Sequence, residues 1–150
     1  MKVFASLAEL PPLVGQELAQ SDWITITQEQ VNQFAEATGD HQWIHVDVEK
    51  AKAGPFGAPI AHGFLTLSLL PKFFESSMVI HGTRMGVNYG LNKVRFPAAV
   101  PSGSRVRASV RLKSVDDVDG GAQIINEITI EREGGDKPCC VAETVARIYL

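Results

Sequence analysis

The stretch that most limits how this chain can fold is residues 61–70, AHGFLTLSLL, where apolar side chains occupy every side of a helical wheel. Such a helix has no polar face to offer to water, so it must be buried on nearly all sides. Pro71 follows, and a proline ring clashes with the preceding turn and lacks a backbone donor. We therefore predict a buried helix over residues 61–74 that bends or ends at Pro71.

The second half of the chain changes from helical periodicity to strict alternation of apolar and polar residues. This alternation begins at residue 105 and is typical of a strand with one buried and one solvated face. Glycine-rich turns at residues 119–121 and 134–136 then separate two further strands. The predicted strands are residues 22–26, 85–96, 105–113, 124–131 and 138–149, with bends at Gly86 and Gly90.

An antiparallel sheet combined with one all-round apolar helix has a simple packing solution, in which the sheet curls around the helix. With 150 residues, 45% of them hydrophobic and 21% charged, the chain is long and apolar enough for one domain with its own core. We predict a single α+β domain over residues 1–150, an antiparallel sheet wrapped around a long central helix.

Two capped helices are expected before the buried one. The pattern Thr27-Gln28-Glu29-Gln30 is a capping box, and Gly39 suits the left-handed turn that ends a helix, so the first helix should span Gln28 to Thr38. Asp47 should cap a second, short helix. Residues 39–47 are then expected to form a loop held between the two.

Charge and cysteine usage exclude several classes of protein. The 14 basic and 17 acidic residues give a net charge of −3, so no positive field draws the chain to nucleic acid. The apolar stretch is shorter than the roughly 20 residues of a membrane-spanning helix. Cys139 and Cys140 are adjacent, which disfavours a disulfide between them. We expect a cytoplasmic protein with reduced thiols that binds neither nucleic acid nor membrane.

The densest polar run contains Gly39-Asp40, four further residues and His45, and the buried helix opens with Ala61-His62-Gly63. Together with Phe34, this arrangement resembles the hydratase motif of the MaoC-like, R-specific enoyl-CoA hydratases. The order of elements is also similar to the single hotdog domain of that family. One departure is Gln42-Trp43, where many members have Asn-Pro.

The resemblance implies reversible hydration of a trans-2-enoyl thioester in fatty-acid metabolism, with an acyl-CoA substrate, no cofactor and no metal. Hydration needs groups that take and deliver a proton and a donor for the charge on the carbonyl oxygen. Asp40 and His45 are the candidate proton-transfer groups, with acid and base unassigned, and the Gly63 N–H is the candidate oxyanion donor. Gln42, His62 and Phe64 are the candidate substrate-binding residues.

Alternatives remain for several of these residues. Asp40 could merely stabilise the turn after Gly39, and His62 could cap or pack. His41 and His45 have the spacing of a metal pair but lack the glutamate of the zinc-protease motif. The alternative functions are a hotdog acyl-CoA thioesterase and a non-catalytic binding module. A homodimer is expected, because one small sheet would leave an exposed strand edge.

Overall fold

Eight strands and five α-helices make up the computed structural model, which describes residues 1–150. The strands are β1 (Lys2–Phe4), β2 (Glu17–Gln20), β3 (Ile24–Thr25), β4 (Met78–Ile80), β5 (Met85–Arg95), β6 (Arg105–Val118), β7 (Gly121–Arg132) and β8 (Cys140–Tyr149). The helices are α1 (Gln28–Thr38), α2 (Trp43–Val46), α3 (Val48–Lys52), α4 (Gly63–Ser68) and α5 (Leu70–Ser77). Two short 3-10 helices, Leu7–Glu9 and Pro11–Leu13, lie between β1 and β2.

The main sheet has the strand order β2-β6-β7-β8-β5, with β3 also paired to β6, and all of these pairs are antiparallel. A separate two-stranded parallel sheet joins β1 to β4. The inward side chains of β6 are almost completely buried, while the arginines between them remain partly or largely exposed. The predicted antiparallel meander, with one dry and one wet face, is confirmed.

The helical segment is broken at Leu69, two residues before the predicted position at Pro71. α4 ends at Ser68, α5 begins at Leu70, and Pro71 lies in the first turn of α5, where a missing N–H is tolerated. Burial on nearly all sides was wrong for Phe64, which is 69% exposed, and Pro71 is exposed as well. The Phe64 ring contacts that of Phe96 edge to face and is otherwise open to solvent.

Local capping signals placed α1 and α3 correctly, whereas β1, the two 3-10 helices, β2 and α2 were not predicted. Thr27 and Gln30 form the predicted capping box, Gly39 ends α1 with a φ of 79°, and the Asp47 side chain accepts from Lys50 N at the start of α3. The segment expected to be a loop contains α2, whose first turn closes when His45 N donates to the Gln42 carbonyl. β5 shifts register between Asn88 and Gly90, where a bend was expected, and again between Leu91 and Lys93. The bend expected at Gly86 produces no register shift.

No helix in the chain combines the length and the apolar character that crossing a membrane would require. Cys139 and Cys140 are both buried and unpaired. Burial raises the pKa of the Cys139 thiol to about 11 and that of Cys140 to about 12, because a thiolate loses hydration in the core.

Candidate active site

Asp40 is held at the C-terminal end of α1 by the turn that Gly39 makes. Its Oδ1 accepts a hydrogen bond from Gln42 N at 3.3 Å, which leaves Oδ2 directed towards the two buried histidines. About half of the Asp40 side chain (52%) remains exposed. The carboxylate therefore lies at the boundary between solvent and the protein interior.

His45 is buried, and its tautomer follows from its neighbours. Nδ1 lies 2.7 Å from the Ile60 carbonyl oxygen, which can only accept, so Nδ1 carries a proton. In the neutral ring Nε2 is then a free acceptor, and it lies 3.9 Å from Asp40 Oδ2. The Gln28 side chain donates to the His45 carbonyl at 2.8 Å and so ties α2 to the start of α1.

His62 forms the wall behind these two groups. It is 3% exposed, its ring stacks on that of His45 with centroids 3.8 Å apart, and Phe34 packs against it at 4.9 Å. Nε2 donates to the Asp40 carbonyl at 3.0 Å, while Nδ1 is buried without a partner. His62 thus holds the backbone of Asp40 and the ring plane of His45 at the same time.

Gly63 is the first residue of α4, where backbone N–H groups have no intrahelical acceptor. A Cβ at this position would lie 2.9 Å from the Phe96 ring, so the absence of a side chain lets Phe96 pack on the backbone. The Phe64 ring meets Phe96 edge to face, with centroids 6.0 Å apart. The start of α4 is therefore a backbone surface bordered by two exposed aromatic rings.

The structure brings Asp40, His45, His62 and Gly63 to one end of the helical segment, and other residues named from the sequence lie around it. Gln42 is exposed and precedes α2 as its N-cap residue. His41 turns away, with Nε2 3.7 Å from Glu36, so it forms no pair with His45.

Potential ligand atoms of Asp40, His45 and His62 all lie within 4.8 Å of one another, which is compact enough to hold a metal ion. However, His45 Nδ1 and His62 Nε2 already donate to carbonyl oxygens. With these protons in place, the Asp40 carboxylate and His45 Nε2 keep free lone pairs beside each other, whereas His62 could coordinate through Nε2 only after a change of tautomer.

Three contributors were missed from the sequence: the side chain of Gln28, the carbonyl of Ile60 and the ring of Phe96. Each acts on the site from a distant part of the chain. No local pattern marks such residues, because their roles depend on which segments the fold brings together.

Two hollows run along the helical segment on its β5 side. The groove, about 300 Å³, is lined by Leu67, Ser68, Leu70, Pro71, Asn88, Gly90, Leu91 and Thr144. The cavity, about 460 Å³, is lined by Leu10, Leu18, Pro71, Phe74, Met78, Ile80, Thr83, Arg84, Met85, Gly86, Val87, Asn88, Ile124, Asn126, Ala146 and Ile148. Pro71 and Asn88 border both, so the two hollows are adjoining.

Lys113 and Glu143, whose pKa values depart from those of the free side chains, lie on the outer face of the sheet, away from the histidines. Glu143 accepts hydrogen bonds from Lys113 and Asn92, and these bonds lower the pKa of its carboxyl group. The same bond to Glu143 raises the pKa of Lys113. This pair joins β6 to β8 and has no contact with the site.

Comparison with known proteins identifies the family of the chain. The family model described as "MaoC like domain" matches residues 9–133. The chain is 56% identical over 148 residues to 3-hydroxyacyl-thioester dehydratase Z of Mycobacterium tuberculosis, covering 98% of each chain. It is 45% identical over 149 residues to nodulation protein N of Rhizobium leguminosarum bv. viciae, covering 97% of this chain and 92% of that protein.

A solved structure shows the same fold. The (R)-hydratase from A. caviae involved in PHA biosynthesis superposes with a TM-score of 0.67 at 23% identity, over 89% of this chain and 94% of that one. The antiparallel sheet around a helical segment is thus the hotdog fold, as expected from the sequence. With a family model that covers most of its length and relatives that match nearly all of it, the chain belongs to the MaoC-like dehydratase domain family.

Proposed function

We propose that the protein is a 3-hydroxyacyl-thioester dehydratase that also acts, in reverse, as an R-specific enoyl-CoA hydratase. The observation that carries the proposal is the pair Asp40 Oδ2 and His45 Nε2, two acceptors 3.9 Å apart beside the start of α4. One water molecule can donate one O–H group to each of them. The names of the relatives support both the reaction and its stereochemistry.

In this mechanism Asp40 orients the water and His45 moves its proton. As the water oxygen bonds to the β-carbon of the enoyl thioester, an O–H bond breaks and the proton passes to His45 Nε2. The imidazolium then delivers that proton to the α-carbon, which returns His45 to its neutral form. The negative charge of Asp40 stabilises the transient imidazolium, and dehydration runs through the same steps in the opposite order.

The remaining site residues hold the substrate and the catalytic pair. The Gly63 N–H donates to the thioester oxygen as negative charge develops there. His62 acts as a positioning residue through its bond to the Asp40 carbonyl and its stack on His45. Phe64 and Gln42, which are both exposed, would contact the substrate.

The acyl chain would leave the site along the groove, which begins on α4 at Leu67, one turn after Gly63. Its lining is largely apolar, as an acyl chain requires. At the other end, the phosphates of coenzyme A need a basic partner. Lys93 and Arg95 form no ion pair, whereas Arg105 and Arg107 are paired with Glu133 and Glu131. Of the two unpaired residues, Arg95 directly precedes Phe96, which packs on Gly63. We therefore favour Arg95 for the phosphates.

A homodimer that joins β5 of two protomers would complete the fold. β5 is an 11-residue edge strand with only β8 as its neighbour, so the backbone groups on its other side are unpaired. It also exposes the large apolar side chains of Met85, Val87, Tyr89 and Leu91. Pairing with a second β5 would satisfy the backbone and cover these side chains.

Residence in the cytoplasm also stays a prediction, which cell fractionation would test.

The direct test is incubation of the purified protein with crotonyl-CoA. We expect loss of the conjugated enoyl absorbance and formation of (R)-3-hydroxybutyryl-CoA, without release of free thiol. Release of coenzyme A would instead indicate a thioesterase, and binding without any reaction would indicate a non-catalytic module. Either of those results would overturn the proposal.

A further inference from the structure

Asn126 is a polar side chain buried inside an otherwise apolar part of the fold. It lies on the inward face of β7 between Ile124 and Ile128 and is only 5% exposed. Its side chain lines the cavity, and Oδ1 has no hydrogen-bond partner in the protein. A buried amide without a partner is costly, and most such groups in proteins are paired.

The other polar residues around the cavity differ from Asn126 in their access to water. Arg84 and Asn88 are exposed and Thr83 is half-buried, so solvent can satisfy them at the mouth. Asn126 alone presents a carboxamide from the floor of the sheet. A molecule inside the cavity would therefore meet one polar group surrounded by aliphatic and aromatic side chains.

The register of the sheet shows where along the proposed acyl path this group lies. Asn126 is paired with Thr144 of β8, and Thr144 lines the groove. Asn126 thus lies where the groove meets the cavity. Pro71, one of the two residues that border both hollows, lies eight residues after Gly63. That separation corresponds to about 12 Å along the helical segment. An acyl chain would reach Asn126 several carbons beyond its reacting double bond.

We propose that Asn126 selects acyl chains that carry a hydroxyl group at such a distal position, an inference that rests on the proposed function. A hydroxyl both donates and accepts, so it can pair with the carboxamide whichever way the amide is turned. A plain alkyl chain would fill the same space and leave the amide atom that faces the cavity without a partner. The substrate class is therefore a medium-chain enoyl or 3-hydroxyacyl thioester with a second, distal hydroxyl.

The test compares plain trans-2-decenoyl-CoA with a series in which one hydroxyl is moved along the carbons beyond the double bond. At the matching position we expect kcat/KM to exceed that of the plain chain by about 5- to 20-fold, the range of one buried hydrogen bond. In Asn126→Leu this ratio should fall to about one or below. Gln123→Leu removes an amide from the opposite face of the same strand, where Gln123 accepts from Arg147, and should keep the ratio.

Crotonyl-CoA separates the two proposals, because its chain is too short to extend to Asn126. If neither crotonyl-CoA nor decenoyl-CoA is hydrated, the proposed function fails. If crotonyl-CoA and decenoyl-CoA are both hydrated but no hydroxyl position is preferred by the wild-type protein, the selection by Asn126 is wrong. A preference that persists in folded Asn126→Leu would also overturn it. If Asn126→Leu does not fold, Asn126→Ala, which also removes the carboxamide, takes its place in the same comparison.

Discussion

Replacing Asp40 with asparagine removes a charge while preserving shape, so it isolates the electrostatic part of the mechanism. Two unit charges at the 3.9 Å separation of Asp40 Oδ2 and His45 Nε2 attract by about 1 kcal/mol in water and about 4 kcal/mol at a protein-surface dielectric constant. Asp40 is half exposed and His45 is buried, which places the loss between these limits, at about 2–3 kcal/mol. Since 1.4 kcal/mol corresponds to tenfold in rate, kcat for crotonyl-CoA hydration should fall about 10²-fold.

Stability should change little in the same variant. The Asp40 carboxylate makes one hydrogen bond, from Gln42 N, and an asparagine oxygen can accept it equally well. Thermal unfolding should therefore show a change within about 0.5 kcal/mol, as for most surface substitutions. Asp47→Asn is the matched control, because Asp47 lies nearby but only caps α3, and asparagine caps as well as aspartate. This control should keep full activity.

The shared water makes a second demand on the kinetics. His45→Ala should lose most activity, and the double variant with Asp40→Asn should be little worse than His45→Ala, because residues that act as a unit are not additive. Assays of the wild type, both single variants and the double variant, each checked by circular dichroism, provide the comparison. A folded Asp40→Asn protein with near-normal kcat, or losses that multiply in the double variant, would refute the mechanism.

Three other predictions follow from the packing. Gly63→Ala should lower the rate of crotonyl-CoA hydration at least about tenfold, since its Cβ would clash with the Phe96 ring and shift the backbone N–H at the start of α4. Adding Phe96→Ala removes the clash and should recover part of the loss, and an unaffected single variant would count against the role of Gly63. Light scattering should give twice the chain mass of 16.3 kDa for the wild type and for Val14→Lys, but the single-chain mass for Leu91→Lys on β5. Val14 is the matched control because it is as exposed (46%) as Leu91, and a monomeric wild type would contradict the dimer. Burial raises the pKa of Cys139 to about 11 and of Cys140 to about 12, so the free energy of unfolding should fall as pH rises from about 8.5, the pKa of an unfolded thiol, through this range. Urea unfolding at several pH values should show a shallower decline in a Cys139→Ala/Cys140→Ala variant, and an identical decline would refute the assignment.

Features encoded by neighbouring residues were accessible from the sequence. The capping box at Thr27, the terminating Gly39 and the alternation that begins at Arg105 each depend on a few consecutive residues, and the structure confirms all three. The helix α2 was missed because its support is distant. Gln28 holds its backbone from the start of α1, and Ile60 anchors the ring of His45.

The candidate site divides in the same way. Asp40 and His45 are five residues apart and stood out by motif, but nothing local shows that His62 stacks on His45 and donates to the Asp40 carbonyl. Asn126 could be placed on the inward face of its strand by alternation. Its lack of a partner could not be foreseen, because that depends on the space left between β7 and α5.

The break at Leu69 divides the helical segment into two helices, α4 and α5, whose positions can change independently. α4 carries Gly63, the proposed oxyanion donor, whereas α5 contributes Pro71 and Phe74 to the distant cavity. A substitution that reshapes the cavity through α5 need not propagate as a rigid rotation of α4, because the hydrogen-bond ladder restarts at the junction. Variation in substrate preference can therefore accumulate in α5 during evolution, or be engineered there, while the chemistry at Gly63 is preserved.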